Sequence, residues 1–196
     1  VQELLVALEA IHHKVVYIPG NHDPYTTFQQ PPVKLANTSL NIHGKSLRIS
    51  SSLVIKGLGG SIPAFQGENK KRYIGYPYVE AEDIDQDLNS LFNIPLAASN
   101  DSNAPTQEDT VIFMTHVGPF SSTTTHVTVN VEEPTIYSGS KGLDDLLRLP
   151  SSQKNTLLLI HGHTHQSTGL TRLGHTYILN PGSIKTGHFA LITLEK

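Results

Sequence analysis

Three apolar, β-branched runs each end in a tight polar cluster, and that repeated juxtaposition leaves the chain few folds to adopt. Val15-Val16-Tyr17-Ile18 runs into Gly20-Asn21-His22-Asp23. Val111-Ile112-Phe113-Met114 runs into Thr115-His116, and Leu157-Leu158-Leu159-Ile160 into His161-Gly162-His163-Thr164-His165. Short continuous apolar runs of this kind read as buried strands of a sheet covered by helices. In an open α/β sheet, loops leaving the carboxyl ends of neighbouring strands converge on one crevice. Asn21, His22, His116, His163 and His165, far apart in sequence, are therefore expected to meet. One amide oxygen and several imidazoles at such a crevice suit a borderline divalent metal.

In order and spacing the clusters resemble the calcineurin-like metallophosphoesterases, whose five blocks are D-x-H, G-D, G-N-H-[DE], a lone His and G-H-x-H. Three of the blocks stand here as Gly20-Asn21-His22-Asp23, His116 and Gly162-His163-Thr164-His165. Asn180-Pro181-Gly182-Ser183 is similar to the turn that many members carry after G-H-x-H. The first two blocks have no counterpart: the chain holds no D-x-H and no Gly-Asp, and Asn41-Ile42-His43 lacks the carboxylate. The resemblance implies a layered αββα sandwich, here without its first strands. Residues 1–196 are then a single domain that begins in mid-domain, with an upstream segment supplying the missing ligands.

The activity implied by the resemblance is hydrolysis of phosphate esters at a dinuclear metal centre with a bridging hydroxide, a diester being slightly favoured over a monoester. Two cations about 3.5–4 Å apart stabilise attacking and leaving oxygens together and lower the pKa of bound water. Carried over by position, Asn21, His116 and His163 hold one metal and His165 the other. His22 faces the leaving group as a general acid or as a positive stabiliser of the leaving oxygen, with Asp23 orienting its ring. The two divalent ions are Mn, Fe or Zn, since mixed Asn/His/Asp sites accept several. His163 and His165, two residues apart, would face one side of an extended segment. His161 reads as a supporting core residue. His126 closes the polar loop after His116 and is a candidate to face the site.

A catalytically inactive scaffold of the same fold, acting through protein–protein interaction, is the alternative. Charge separates the two readings. One amide and three imidazoles leave two divalent cations unneutralised, whereas metal sites normally include carboxylates or anionic ligands. This stretch alone is thus expected to bind one metal weakly and to turn over slowly.

Composition narrows the partners. A length of 196 residues suits one domain, and a net charge of −3 gives no general attraction to nucleic acid or to an anionic membrane. The expected partner is a small phosphorylated substrate. No Cys is present, which excludes disulfides and thiolate metal sites and fits the cytoplasm. No apolar run approaches the roughly 20 residues of a membrane-spanning helix.

Periodicity places the remaining elements. Leu4, Leu5, Leu8 and Ile11 form a helical stripe, and His12 and His13 stand at its end, where a cation favours the helix dipole. Strands are expected at 47–49 and 53–55, followed by a long irregular stretch from Gly57 to Tyr78. A helix is expected over 81–92, an exposed excursion over 93–109, and a helix capped by Ser140 that stops at Pro150. A hairpin around Gly174-His175 and a last strand over 189–194 complete the reading. Gly57-Leu58-Gly59-Gly60 is not a phosphate loop, because no Gly-Lys-Ser/Thr follows it.

Overall fold

A computed structural model gives the fold and describes residues 2–12, 14–67, 70–92, 106, 108–128, 130, 132–150 and 155–195. In chain order, α1 (Gln2–Ile11) leads to β1 (Val16–Tyr17) and β2 (Leu40–Asn41). The hairpin β3 (Lys45–Ser50) and β4 (Leu53–Leu58) follows, then β5 (Ala64–Gln66), β6 (Lys70–Tyr73) and α2 (Asp83–Phe92). Next come β7 (Thr110–Thr115), β8 (His126–Val127), β9 (Ile136–Tyr137) and α3 (Lys141–Arg148). The chain then forms β10 (Thr156–His161), β11 (Gly169–Leu173) and β12 (Thr176–Asn180).

The architecture is mixed α/β around a six-stranded sheet of order β11-β12-β10-β7-β4-β3. Its four inner strands are parallel, and the edge strands β3 and β11 run antiparallel to their neighbours. Val54, Val111, Phe113, Leu159 and Ile178 of the inner strands are buried, whereas Leu157 and Tyr177 are exposed by 37 % and 41 %. Phe113, Leu159 and Ile178 pack with Ile84, Leu88 and Leu91 of α2 and with Leu143 and Leu147 of α3 in the main core. Ser140 caps α3, its hydroxyl accepting the Leu143 amide at 3.0 Å. Two smaller sheets flank this body: β6-β5-β9-β8, and the parallel pair β1-β2. Among the described residues, no helix is long and apolar enough to cross a membrane.

Several expectations need correction. The stretch after Gly57 is not irregular throughout, because β4 runs to Leu58 and β5 and β6 pair antiparallel beyond it. The run 189–194 forms no strand: Phe189 is 78 % exposed and Leu191 91 % exposed, and no ladder receives them. The first strand is only two residues long, and α2 starts at Asp83 rather than at 81. The expected excursion lies outside the described residues except for 106, 108 and 109. There Asp109 is buried against Arg48 in a two-pronged ion pair, with both contacts at 2.8 Å.

Candidate metal centre

Register brings the second and third clusters side by side. Thr115 is opposite His161 on the parallel pair β7–β10, so the chain leaves both strands at the same level. The Gly162 amide donates to the His116 carbonyl at 3.2 Å, and the His116 amide donates to the Leu58 carbonyl at 3.1 Å. The first cluster arrives from β1. The loop after β4 ties it in, with the Gly60 amide donating to the Pro19 carbonyl at 3.0 Å.

At this rim three of the expected residues meet. Asn21 Oδ1 and His116 Nε2 are 2.8 Å apart, and the His116 and His163 rings stand edge to face with centroids 5.1 Å apart. Close approach explains Gly20: a Cβ there would fall 2.9 Å from His116 Cε1. His22 and His165 are exposed on the same rim. Burial pushes the His116 imidazole down to about 3, helped by His163, His165, His22 and His161. Burial, then His165 and His22, brings His163 down to about 4. Both rings are thus neutral at pH 7 and able to offer a lone pair.

One local expectation fails. The segment carrying His163 and His165 is a turn rather than an extended strand. His163 takes φ +62°, and the Thr164 and His165 amides donate back to Gly162 and His163 carbonyls at 2.6 and 3.1 Å. His163 consequently points into the rim half-buried while His165 is exposed. A non-glycine residue with positive φ is uncommon and needs its surroundings to hold it there. Asp23 makes no hydrogen bond to His22 among the described residues. It is buried, and its carboxylate accepts the Gly20 amide at 2.7 Å, closing the turn that presents Asn21 and His22.

A buried polar network supports the His163 turn, and sequence reasoning missed most of it. Asn180, fully buried, donates its amide to the carbonyls of Thr164, Ser167 and Thr124 at 2.8, 3.1 and 3.2 Å. Its Oδ1 accepts the Gly182 amide at 3.0 Å, so Asn180 joins the turn after β12 to the turn that holds His163. The Thr164 hydroxyl lies 2.7 Å from that of Ser138. His161 is a supporting residue, as its position suggested. Its Nδ1 faces the Gly162 carbonyl at 3.1 Å and so carries the proton, leaving Nε2 to accept the Thr124 hydroxyl at 2.7 Å. Asn before Pro-Gly was a visible signal for Asn180; nothing marked Thr124 or Ser138. His126 is taken up by structure, with Nε2 2.8 Å from the Phe120 carbonyl.

The residues fit a borderline divalent cation in kind and fall short in number. Asn21 Oδ1 and His116 Nε2 are both metal-donor atoms facing one point, with the His163 ring beside them. Yet among the described residues no group of three or more His, Asp or Glu side chains is arranged to hold a metal ion. The one carboxylate of the clusters, Asp23, is engaged with its own turn.

Sheet order and strand-end residues define a mixed α/β fold of the phosphoesterase type. The profile of the calcineurin-like phosphoesterases matches residues 1–167. The chain belongs to that family, whose members are in general metal-dependent phosphoester hydrolases. One solved crystal structure is similar over 95 % of this chain and 64 % of its own, at 16 % identity and a TM-score of 0.61. The crystal structure of TT1561 of Thermus thermophilus is similar over 95 % of this chain and 70 % of its own, at 19 % identity and a TM-score of 0.53. At these identities the likeness is one of fold, and the chain spans less than two thirds of the first structure's length. No curated protein matches the chain.

Proposed function

We propose that the protein hydrolyses phosphate esters, diesters somewhat better than monoesters, with divalent metal held by Asn21, His116, His163 and His165. The observation that carries this reading is the 2.8 Å approach of Asn21 Oδ1 to His116 Nε2, with the His163 ring beside them, from three distant segments. When bound, the metal supplies Lewis-acid polarisation of the phosphoryl oxygens and an acidified water. The remaining roles fall to this chain's side chains. In the free site Nε2 of His116 donates to Asn21 Oδ1, so offering that nitrogen to a metal requires the ring proton to move to Nδ1. Exposed His22, next to Asn21, holds a proton for the leaving oxygen. A positioned general acid of this kind typically contributes about 10²–10⁴-fold. Asp23 fixes the turn that aims both residues.

The dinuclear form requires anionic ligands beyond those found among the described residues. Taken alone, the chain is expected to hold one ion of Mn, Fe or Zn weakly and to turn over slowly. The substrate is a small phosphorylated molecule and the compartment the cytoplasm, which suits a chain without Cys.

The scaffold alternative keeps one specific support, the absence of a three-membered metal-holding group among the described residues. Hydrolysis of bis-p-nitrophenyl phosphate with added Mn²⁺ separates the readings. Turnover that falls about 100-fold or more in His22→Ala, with metal content unchanged, supports the enzyme. Metal-independent inertness of the chain, even when it is supplied with the family's missing N-terminal motifs, supports the scaffold.

A further inference from the structure

Two buried polar residues, Asn41 and His43, stand at and just past the carboxyl end of β2 and take no part in the histidine rim. β2 runs parallel to β1 with Asn41 opposite Tyr17, so the two strands end at the same level. His43 Nδ1 accepts the Gly59 amide at 3.0 Å. An imidazole nitrogen that accepts carries no proton, so the proton of this ring is on Nε2. The Phe28 and His43 rings meet edge to face with centroids 5.1 Å apart, and the Gln30 side-chain amide donates to the His43 carbonyl at 3.2 Å. Asn41 Oδ1 accepts the His43 amide at 2.9 Å, and Asn41 Nδ2 donates to the Thr27 carbonyl at 2.8 Å.

Gly59 is where the two halves of the rim are joined. Before it, the Leu58 carbonyl accepts the His116 amide at 3.1 Å; after it, the Gly60 amide donates to the Pro19 carbonyl at 3.0 Å, just ahead of Gly20-Asn21. The Gly59 backbone lies so close to that segment that a Cβ would run into the Pro19 carbonyl oxygen. Segment 58–60 thus sets the spacing between Asn21 and His116, and its middle amide is held by a side-chain atom, His43 Nδ1. A buried amide that loses its acceptor is costly, so the segment must shift if that atom is removed. Through Thr27, Asn41 also steadies the helical turn Tyr25–Thr27 that follows Asp23. Burial holds the His43 imidazole below its ordinary value, against the pull of Asp87 and with Lys45 adding to it. The ring is therefore neutral at pH 7 and keeps its acceptor lone pair.

We propose that His43 is a positioning residue of the metal centre: by accepting the Gly59 amide it fixes segment 58–60 and so holds Asn21 Oδ1 beside His116 Nε2. The inference rests on the reading of Asn21 and His116 as joint ligands. Among the described residues His43 makes no hydrogen bond to either of them and acts through the backbone between them.

The test compares Co²⁺ titrations of the intact wild-type chain, His43→Phe and His43→Asn. Phe keeps an aromatic ring against Phe28 without an acceptor, whereas Asn offers its Oδ1 in place of Nδ1. His43→Phe should weaken Co²⁺ binding about tenfold, the low end for residues that orient ligands from behind, and His43→Asn should restore most of the loss. A merely structural role predicts no such rescue, because Asn fills the space of the ring less well than Phe. Amide hydrogen exchange of the metal-free chain gives a second readout. The Gly60 amide should exchange about tenfold faster in His43→Phe, with the Phe113 amide unchanged. Equal Co²⁺ affinity of wild type and His43→Phe, or a loss that His43→Asn does not reverse, would overturn the proposal. If the wild type binds no Co²⁺, the metal reading fails by itself; faster Gly60 exchange in His43→Phe then supports the positioning role and unchanged exchange overturns it. If His43→Phe does not fold, His43→Gln, whose amide reaches past the Nδ1 position, takes its place. Equal Co²⁺ affinity of His43→Gln and His43→Asn would then overturn the proposal.

Discussion

The two platforms that carry the candidate site differ in how firmly they are built. His116 and His163 leave adjacent inner strands of the six-stranded sheet, above the large core around Phe113, Leu159 and Ile178. Asn21 and His22 leave a two-residue strand paired with β2, over a cluster of Leu5, Tyr17 and Ala36. On that side α1 leaves Leu4, Val6 and Leu8 exposed by 39–48 % and Ile11 by 82 %. The histidine half of the centre is therefore preformed. The asparagine half is positioned by a few backbone contacts, such as Gly60 to Pro19, and by the Asp23 turn. Local stability follows buried apolar contact, so the second half is the one expected to open first.

Substitutions sharpen this contrast. Phe113→Ala removes a fully buried ring from the main core and should cost about 4 kcal/mol in denaturant unfolding. Asn180→Ala strips the donor from three buried carbonyls and should cost about 3 kcal/mol. Metal affinity should fall with it, because the His163 turn loses its anchor. Leu5→Ala, in the thin cluster, should cost about 2 kcal/mol, the low end for such changes. Equal losses for Phe113→Ala and Leu5→Ala would erase the difference between the platforms.

pH probes the same contrast without mutation. His116, His161 and His163 are held neutral, with folded values of about 3, 4 and 4 against an ordinary 6.5. The unfolded chain therefore takes up more protons as pH falls, and stability present above pH 6.5 drains away between 6.5 and about 4. Asp109 is also shifted down, for a different reason. Hydrogen bonding to the Arg48 guanidinium holds its carboxyl down to about 2, so its contribution is kept until the pH falls below 3.8. Melting of the metal-free protein at pH 7 and pH 5 should show a clear drop, and its absence would mean that the histidines are more solvated than their packing indicates. The smallest effect is expected from Ser140→Ala, about 1 kcal/mol for loss of the α3 cap.

Long elements and strand-end motifs were legible because their signal is local. The apolar runs before Asn21, His116 and His163 became β1, β7 and β10, and Ser140 capped the helix it was expected to cap. The small sheet was not legible. Its strands are two to four residues long, and Phe65 finds its partner Tyr137 only through tertiary pairing. The 189–194 run illustrates the reverse: a short apolar run alone makes no strand when no neighbouring edge accepts it. In the site, residue identity was readable and residue geometry was not. Nothing local foretold that His163 would take a left-handed conformation, or that Asp23 would fold onto Gly20.

Titration of the chain with Co²⁺, followed by visible absorption and by elemental analysis of the bound ion, tests the metal centre most directly. One weakly held ion per chain is expected, lost in His116→Ala and in His163→Ala and retained in His22→Ala. Two tightly held ions, or binding indifferent to His116→Ala, would contradict the assignment of Asn21, His116 and His163 as the core of the site.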